Sequence, residues 1–169
     1  KVILASNSPR RKELLSGLGI CYEVKTLPGI EESYPDTLSG EEIPVFIACE
    51  KADAYRQTMH SDELIITADT IVWLDGLVMG KPEDEEDARR MLRCLSGKTH
   101  QVITGVCLTT TEFQKSFATV TDVTFAELTE EEIDYYVQKY KPMDKAGSYG
   151  IQEWIGFVGV EGITGSYFN

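Results

Sequence analysis

Short apolar runs alternate with amphipathic segments along this chain. Runs of strand length predict β-strands at residues 1–6, 21–27, 63–76, 99–111, 115–128 and 156–169. An Asp-Gly pair closes the third run, which is typical of a tight hairpin turn. A short polar turn separates the fourth run from the fifth, so these two strands are expected to pair.

The first helix is predicted at residues 8–19. Ser8 is a favourable N-cap, and Pro9 suits the first helical position because that position needs no N–H donor. Gly17 or Gly19 is expected to end the helix.

Three further helices are predicted at residues 44–57, 83–97 and 129–140. Pro44 stands at the start of the first, and Pro82 is expected to open the second. The second helix has one apolar face, formed by Ala88, Met91, Leu92 and Leu95. Thr129 and Glu132 have the spacing of a capping box for the third.

Strands that alternate with helices predict an α/β fold, and the strand-rich middle predicts a mixed central sheet flanked by helices. The 169 residues have the length of a single domain with room for two lobes. We therefore predict one domain over residues 1–169.

Composition restricts the partners and the location. The formal net charge of -12 argues against a general surface for nucleic-acid polymers or anionic membranes. No apolar run approaches the roughly 18 residues of a membrane span. The four cysteines form no CxxC pair, which indicates reduced core thiols in a cytoplasmic protein. Only two histidines are present, which argues against a His-based zinc site or a His-dependent catalytic triad.

Positive charge is concentrated at the start of the first predicted helix. Arg10 and Arg11 lie in its first turn, where the helix N-terminus disfavours cations. With the hydroxyls of Ser6 and Ser8 and the free backbone N–H groups, they would form a phosphate cradle. The alternative is a pair of solvated surface arginines. The P-loop pattern is absent.

Three lysines also occupy unusual positions. Lys51 falls on the apolar stripe of its helix and either extends to solvent at the core edge or points into a cleft. Lys81 lies in a GKP stretch, and Lys145 lies in a glycine-containing loop, where an ion pair with Asp144 is the simpler interpretation. Several such lysines converging on one place would suit a polyphosphate.

Asp69 interrupts the apolar run at residues 64–74. A buried carboxylate is costly unless it is paired, hydrogen-bonded or bound to metal. Asp69 is therefore either a general base or Mg²⁺ ligand, or an aspartate held by backbone N–H groups at a bulge. Glu32 lies in a polar loop, where solvation is the simpler interpretation. Gln152 either reads a base edge with its amide or bonds to the loop backbone.

Six stretches together resemble the Maf family of nucleoside triphosphate pyrophosphatases. They are SNSPRRKELL, EKA, ADTIV, GKP, LSGKTHQVITGV and PMDKAGSYGIQ, and they span nearly the whole chain in order. The resemblance implies a fold of the inosine triphosphate pyrophosphatase type, with two lobes around a cleft. It implies hydrolysis of a nucleoside triphosphate between the α- and β-phosphates, a divalent metal cation (Mg²⁺ or Mn²⁺) as cofactor, nucleotide-pool cleaning, and a homodimer.

The resemblance also assigns roles by position. Asp69 matches the proton acceptor that activates water, and Glu32 matches an acid that helps Asp69 to hold the metal. Positions for phosphate binding and catalysis are matched by Ser8, Arg10, Arg11, Lys51 and Lys81. Positions tied to base selection are matched by Arg11, Thr70 and Gln152, and Lys145 lies within the matched loop as a substrate-binding residue.

SPRR, ADT and DKAGxYGIQ are typical of the family branch that acts on dTTP and UTP, so these nucleotides are the predicted substrates, with modified pyrimidines as an extension. A nucleotide-binding regulator of septum formation without turnover is the main alternative, and a phosphatase that releases orthophosphate is another.

The sequence also departs from the family pattern. Ser148 stands where many members have Ala, and Glu153 and Trp154 replace part of a Gly-rich stretch at the expected rim of the cleft. Relatives usually continue beyond GSYFN with another apolar element, so the C-terminal end of the domain is expected to be truncated.

Overall fold

A computed structural model describes all residues from Lys1 to Asn169. The strands are β1 (Val2–Leu4), β2 (Tyr22–Val24), β3 (Leu64–Leu74), β4 (Leu77–Met79), β5 (Thr99–Thr109), β6 (Gln114–Phe125) and β7 (Val160–Thr164). The helices are α1 (Pro9–Gly17), α2 (Glu42–Arg56), α3 (Glu85–Leu95), α4 (Glu130–Tyr140) and α5 (Trp154–Gly159), with a short 3₁₀ helix at Ala146–Ser148. None of the helices is long and apolar enough to cross a bilayer.

The strands form one mixed sheet. The order is β2-β1-β3-β5-β6-β7, and β4 pairs with β3. Strand β1 runs parallel to both β2 and β3, whereas β4 is antiparallel to β3 and β7 is antiparallel to β6. This arrangement confirms the predicted mixed α/β class.

The chain folds as two compact units. The first unit comprises Lys1–Asp69, Thr104–Thr119 and Phe168. The second unit comprises Thr70–Ile103, Val120–Tyr167 and Asn169. Strands β3, β5 and β6 contribute residues to both units. The single domain over 1–169 and its truncated C-terminal end stay predictions.

In the first unit, α1 begins as its sequence predicts. The Oγ atom of Ser8 accepts a hydrogen bond from the backbone N–H of Arg11 at 3.3 Å, and Pro9 opens the helix. The Oγ atom of Ser6 accepts from the N–H of Ser8 at 3.0 Å. The serine before the proline therefore fixes the start of α1, and the helix ends at Gly17.

Helix α2 begins at Glu42, two residues before the predicted start at Pro44. Proline is tolerated there because N–H groups in the first helical turn lack intrahelical partners. The helix is tied to β3 by Thr67, whose hydroxyl donates to the carbonyl of Ala48 at 2.7 Å. The buried side of α2 is formed by Ile43, Pro44, Ile47, Ala48, Ala52 and Tyr55.

Gly105 on β5 brings that strand close to the first turn of α2. A Cβ atom at position 105 would stand 2.4 Å from both the carbonyl carbon of Pro44 and the amide nitrogen of Val45. Both of these neighbours are backbone atoms, which cannot move aside as a flexible side chain would.

We expect Gly105→Ala to lower the free energy of unfolding by about 2 kcal/mol, because the added methyl group must displace the start of α2. Equilibrium urea unfolding measures the change. Gly162→Ala is the matched control, since position 162 also lies in a strand and has open space around it. Equal unfolding midpoints for the two variants would contradict the close approach.

In the second unit, α3 is capped by Asp84, not opened by Pro82 as predicted. The Oδ1 atom of Asp84 accepts from the N–H of Asp87 at 2.7 Å, whereas a proline side chain has no acceptor to offer. The predicted buried face of α3 is confirmed. The capping box of Thr129 and Glu132 at the start of α4 is also confirmed.

The last predicted strand is wrong at its start, since α5 occupies Trp154–Gly159 and β7 begins at Val160. Ile155 and Gly159 are buried at helical spacing, while Phe157 is 85% exposed. Gly156 lets the helix pack on the preceding turn, because a Cβ atom there would lie 1.8 Å from the carbonyl oxygen of Ile151. Alternating glycine and apolar residues imitate a strand pattern here.

All four cysteines are free thiols. Cys107 is buried, and Cys49 and Cys94 are half-buried, but Cys21 is exposed. The predicted core position is therefore wrong for Cys21, which directly precedes β2 at one edge of the sheet.

Candidate active site

Asp69 is a buried carboxylate within β3. Its residue is 8% exposed, and its Oδ1 atom lies 3.6 Å from the Nζ atom of Lys51. A lysine ammonium therefore offsets the charge of Asp69 and supplies the pairing that a buried carboxylate requires.

Lys51 extends from α2 toward oxygen atoms. Its Nζ atom donates to the carbonyl oxygen of Ala68 at 3.1 Å and lies 3.0 Å from Oε1 of Glu32. Only 16% of its side chain is exposed. Of the two predicted alternatives, the inward orientation is the one observed.

Arg11 brings a second cation to the same place. Its Nη1 atom donates to the carbonyl oxygen of Ala68 at 3.2 Å, so a guanidinium and an ammonium share one acceptor. Burial lowers the pKa of Arg11, while the charges of Asp69 and Glu32 oppose that shift. We refer to Arg11, Glu32, Lys51 and Asp69 as the Asp69 cluster.

The cluster gives Asp69 the protonation behaviour of a general base. Burial raises the pKa of Asp69, with a smaller contribution from the charge of Glu32, and the pKa reaches about 6 although Lys51 and Arg11 lower it. A base whose pKa lies near the working pH is both deprotonated and able to accept a proton. The adjacent cations can offset negative charge on a phosphate.

The pKa of Asp69 predicts how kcat/KM decreases on the acidic side of its pH profile, the acid limb. Below a pH of about 6 Asp69 becomes protonated and cannot act as a base, so kcat/KM should fall as the pH decreases through that value. Steady-state kinetics across this range measure the limb. Glu31→Gln, which removes another acid of the same loop as Glu32, should leave the limb in place. A profile that is flat through pH 6 would contradict Asp69 as the base.

Glu32 and Asp69 are the two carboxylates that could ligate a metal ion. Both approach the same ammonium group, and Glu32 is half exposed. The structure contains no group of three His, Cys, Asp or Glu side chains that could hold a metal ion. Two carboxylates fit Mg²⁺ when substrate phosphates and water supply the other ligands. They do not form a closed metal site built from protein alone.

The predicted phosphate cradle is brought together only in part. Arg11 belongs to the Asp69 cluster, and the hydroxyl of Ser8 caps α1. Arg10 instead pairs along its own helix, with Nη1 3.7 Å from Oε2 of Glu13. The side chain of Arg10 is 38% exposed, which leaves it accessible from solvent.

The remaining predicted site residues lie in the second unit, and they are Thr70, Lys81, Lys145 and Gln152. Thr70 directly follows Asp69 on β3, and Lys81 is exposed after β4. The side chains of Lys145 and Gln152 both lie next to Gly150. A Cβ atom at Gly150 would lie 3.0 Å from Cε of Lys145 and 3.2 Å from Nε2 of Gln152.

Two residues beside this loop are not among the predicted site residues, namely Tyr136 and Glu153. The buried phenol of Tyr136 donates to Oε1 of Glu153 and accepts from the N–H of Gly150 at 3.0 Å. The Oε2 atom of Glu153 lies 3.9 Å from Nζ of Lys145. Burial and Glu153 raise the pKa of Tyr136, so the phenol stays a donor. A tyrosine on the buried face of α4 is itself a signal, because its hydroxyl needs a partner.

Comparison with known proteins places these features in a family. A family model described as Maf-like protein matches residues 1–169. The chain is 81% identical to a dTTP/UTP pyrophosphatase of Phocaeicola vulgatus, covering 100% of this chain and 88% of that protein. It is 70% identical, with the same coverage, to a dTTP/UTP pyrophosphatase of Bacteroides fragilis.

A solved structure shares the fold. The Ham1 protein of Staphylococcus aureus aligns with a TM-score of 0.51 and 17% identity, covering 75% of this chain and 72% of that chain. At this identity the likeness concerns the fold alone, and it agrees with the predicted fold type.

Proposed function

This chain belongs to the Maf-like protein family, and we propose that it is a nucleoside triphosphate pyrophosphatase that acts on dTTP and UTP. It hydrolyses the nucleotide between the α- and β-phosphates and releases the monophosphate and pyrophosphate. The observation that carries this function is the Asp69 cluster, which places a base of raised pKa beside two partly buried cations.

Within the cluster each residue has a distinct task. Asp69 accepts a proton from the attacking water, and its position on a regular strand holds the carboxylate in place. Lys51 and Arg11 offset the negative charge that develops on the phosphates. Ser8, Arg10 and Lys81 are proposed to bind phosphate oxygens. These three residues match the family motifs. The side chain of Arg10 is partly exposed and Lys81 is exposed, so both are accessible to a ligand.

We assign a divalent cation, Mg²⁺ or Mn²⁺, to Glu32 and Asp69. The support is the convergence of both carboxylates at Lys51 and the preference of these ions for carboxylate and phosphate oxygens. When bound, the cation would neutralise phosphate charge and polarise the phosphoryl group.

Base recognition is proposed for Gln152, with Thr70 and Arg11. Gln152 is exposed, and its amide both donates and accepts hydrogen bonds, which suits the edge of a pyrimidine. Lys145, a quarter exposed beside Gln152, is proposed to contact the nucleotide as a cation.

A regulator that binds nucleotides without turnover would not require Asp69. A buried carboxylate repels bound phosphates, so a protein that only binds them would gain affinity from a neutral residue at this position. The pairing of Asp69 with Lys51 therefore favours catalysis over this alternative.

We further propose that the protein works in the cytoplasm as a homodimer that removes unwanted nucleotides from the pool. Four free thiols support a reducing compartment. The homodimer is supported by the family resemblance.

Product analysis tests the proposed function. The purified protein is incubated with dTTP, UTP, CTP, GTP or 7-methyl-GTP in Mg²⁺, in Mn²⁺ or in excess chelator, and pyrophosphate and orthophosphate are assayed separately. We expect pyrophosphate from dTTP and UTP, with loss of turnover in chelator. Orthophosphate as the first product would overturn the assigned bond. Binding without any turnover would favour the regulator, and full turnover in chelator would overturn the metal assignment.

A further inference from the structure

Gln152 lies in a tight turn in the second unit. The N–H of Glu153 donates to the carbonyl oxygen of Gly150 at 3.0 Å, which closes a four-residue turn with Ile151 and Gln152 at its centre. Gly150 is buried, whereas Gln152 is exposed. The exposed amide is therefore carried at the tip of a turn whose base is anchored in the protein.

One phenol bonds to both ends of this turn. The hydroxyl of Tyr136 accepts from the N–H of Gly150 and donates to the carboxylate of Glu153. Tyr136 is fully buried on α4, and its ring stacks on Tyr140 with centroids 5.1 Å apart. Turn and phenol thus form a closed ring of hydrogen bonds on a rigid support, which we call the Tyr136 clamp.

The amide of Gln152 lies close to the clamped backbone at Gly150. Its Nε2 atom lies 3.2 Å from the place where a Cβ atom of Gly150 would stand. The following helix adds a second anchor, because the N–H of Gly156 donates to the carbonyl oxygen of Glu153 at 2.9 Å. Any movement of Gly150 or Glu153 would therefore shift the backbone from which the side chain of Gln152 projects.

A fixed amide matters because uracil and cytosine present opposite hydrogen-bonding edges. Uracil and thymine offer a carbonyl acceptor and an N–H donor, whereas cytosine offers an amino donor and a nitrogen acceptor. A freely rotating carboxamide satisfies either base by turning over, since it carries one donor group and one acceptor. Only an amide that is held in place discriminates between them.

We propose that Tyr136 and Glu153 are positioning residues that hold Gln152 and so determine the preference for uracil and thymine over cytosine. This inference rests on the proposed role of Gln152 in base recognition. Tyr136 acts through Gly150, and Glu153 acts by bonding Tyr136 at the other end of the turn.

The test compares the UTP-to-CTP ratio of kcat/KM across variants of the clamp. Tyr136→Phe removes both hydrogen bonds of the phenol and Glu153→Ala removes one of them, and we expect each variant to reduce the ratio about tenfold. Glu153→Gln keeps an acceptor for the phenol and should retain the ratio. Tyr140→Phe removes a hydroxyl from the same helix but keeps the ring that stacks on Tyr136, and it should also retain the ratio.

Two further measurements separate positioning from stability and from turnover. Thermal unfolding reports the folded fraction of every variant, and a purely structural role would lower stability without changing the ratio. Affinities for non-hydrolysable UTP and CTP analogues give the same selectivity without chemistry. If Tyr136→Phe does not fold, the UTP-to-CTP ratios of Glu153→Ala and Glu153→Gln still test the clamp, because only Glu153→Ala removes the acceptor of the phenol.

The outcomes distinguish the inference from the function on which it rests. A wild-type ratio in both Tyr136→Phe and Glu153→Ala, with loss of selectivity in Gln152→Ala, would overturn the clamp but leave Gln152 as the base reader. Unchanged selectivity in Gln152→Ala would overturn both roles, while pyrophosphate from UTP would still support the reaction. A wild-type protein that binds UTP selectively through the clamp without hydrolysing it would overturn only the reaction.

Discussion

Asp69→Asn should reduce the release of pyrophosphate from UTP by about a thousandfold. Asparagine has nearly the size of aspartate, but its amide cannot accept a proton from water at neutral pH. The loss should appear in kcat, because the missing step is chemical, while nucleotide affinity measured in excess chelator should persist or increase as one negative charge disappears. Single-turnover assays and equilibrium binding measure the two effects separately.

The stability of Asp69→Asn tests whether its loss of activity could come from unfolding. The pKa of Asp69 is raised to about 6 in the folded protein, so its ionised form opposes folding at a pH above that value. Asp69→Asn should therefore unfold at the same or a higher urea concentration than the wild type at pH 8. Asp62→Asn, at an exposed position, serves as the control. Retention of more than about a tenth of the activity would contradict the role of general base.

Lys51→Met should lower kcat/KM for UTP by about 500-fold, since one preorganised cation is lost from the phosphate site. Methionine keeps an unbranched apolar side chain of similar length at this position of α2. The ammonium of Lys51 is the leading influence that lowers the pKa of Asp69, so its removal should also move the acid limb of the pH profile above pH 6. Kinetics as a function of pH test both effects.

Lys115→Met is the matched control, because Lys115 is an exposed lysine in β6. It should keep the wild-type rate and the wild-type pH limb. An unshifted limb in Lys51→Met would show that the contact with Asp69 does not tune the base, even if the rate falls.

Local signals in the sequence predicted much of the fold. Ser8 before Pro9 correctly predicted the start of α1. The Asp75-Gly76 pair correctly predicted the β3–β4 turn, where both residues have positive φ. These signals succeed because the energetics involve atoms only a few residues apart. Where such a signal was ambiguous, prediction failed, as at Pro82, which precedes a helix that Asp84 caps.

The site was predictable to a lesser extent. The sequence identified Asp69 as an anomaly, because a carboxylate in a buried strand is costly. The direction of Lys51 remained open, since the atoms that attract it lie on β3 and on the loop of Glu32. Tyr136 was missed for the same reason, because its partners lie 14 and 17 residues away and depend on tertiary packing.

The half-exposed position of Glu32 has a consequence for product release. In the free protein Glu32 already acts as a counterion to Lys51. A triphosphate must displace this internal anion to reach the ammonium, and the anion can return when pyrophosphate leaves. If phosphate binds at Lys51 as proposed, Glu32 competes with both substrate and product for the ammonium, so nucleotide affinity depends on the exchange of one anion for another and not on the filling of an empty cationic site.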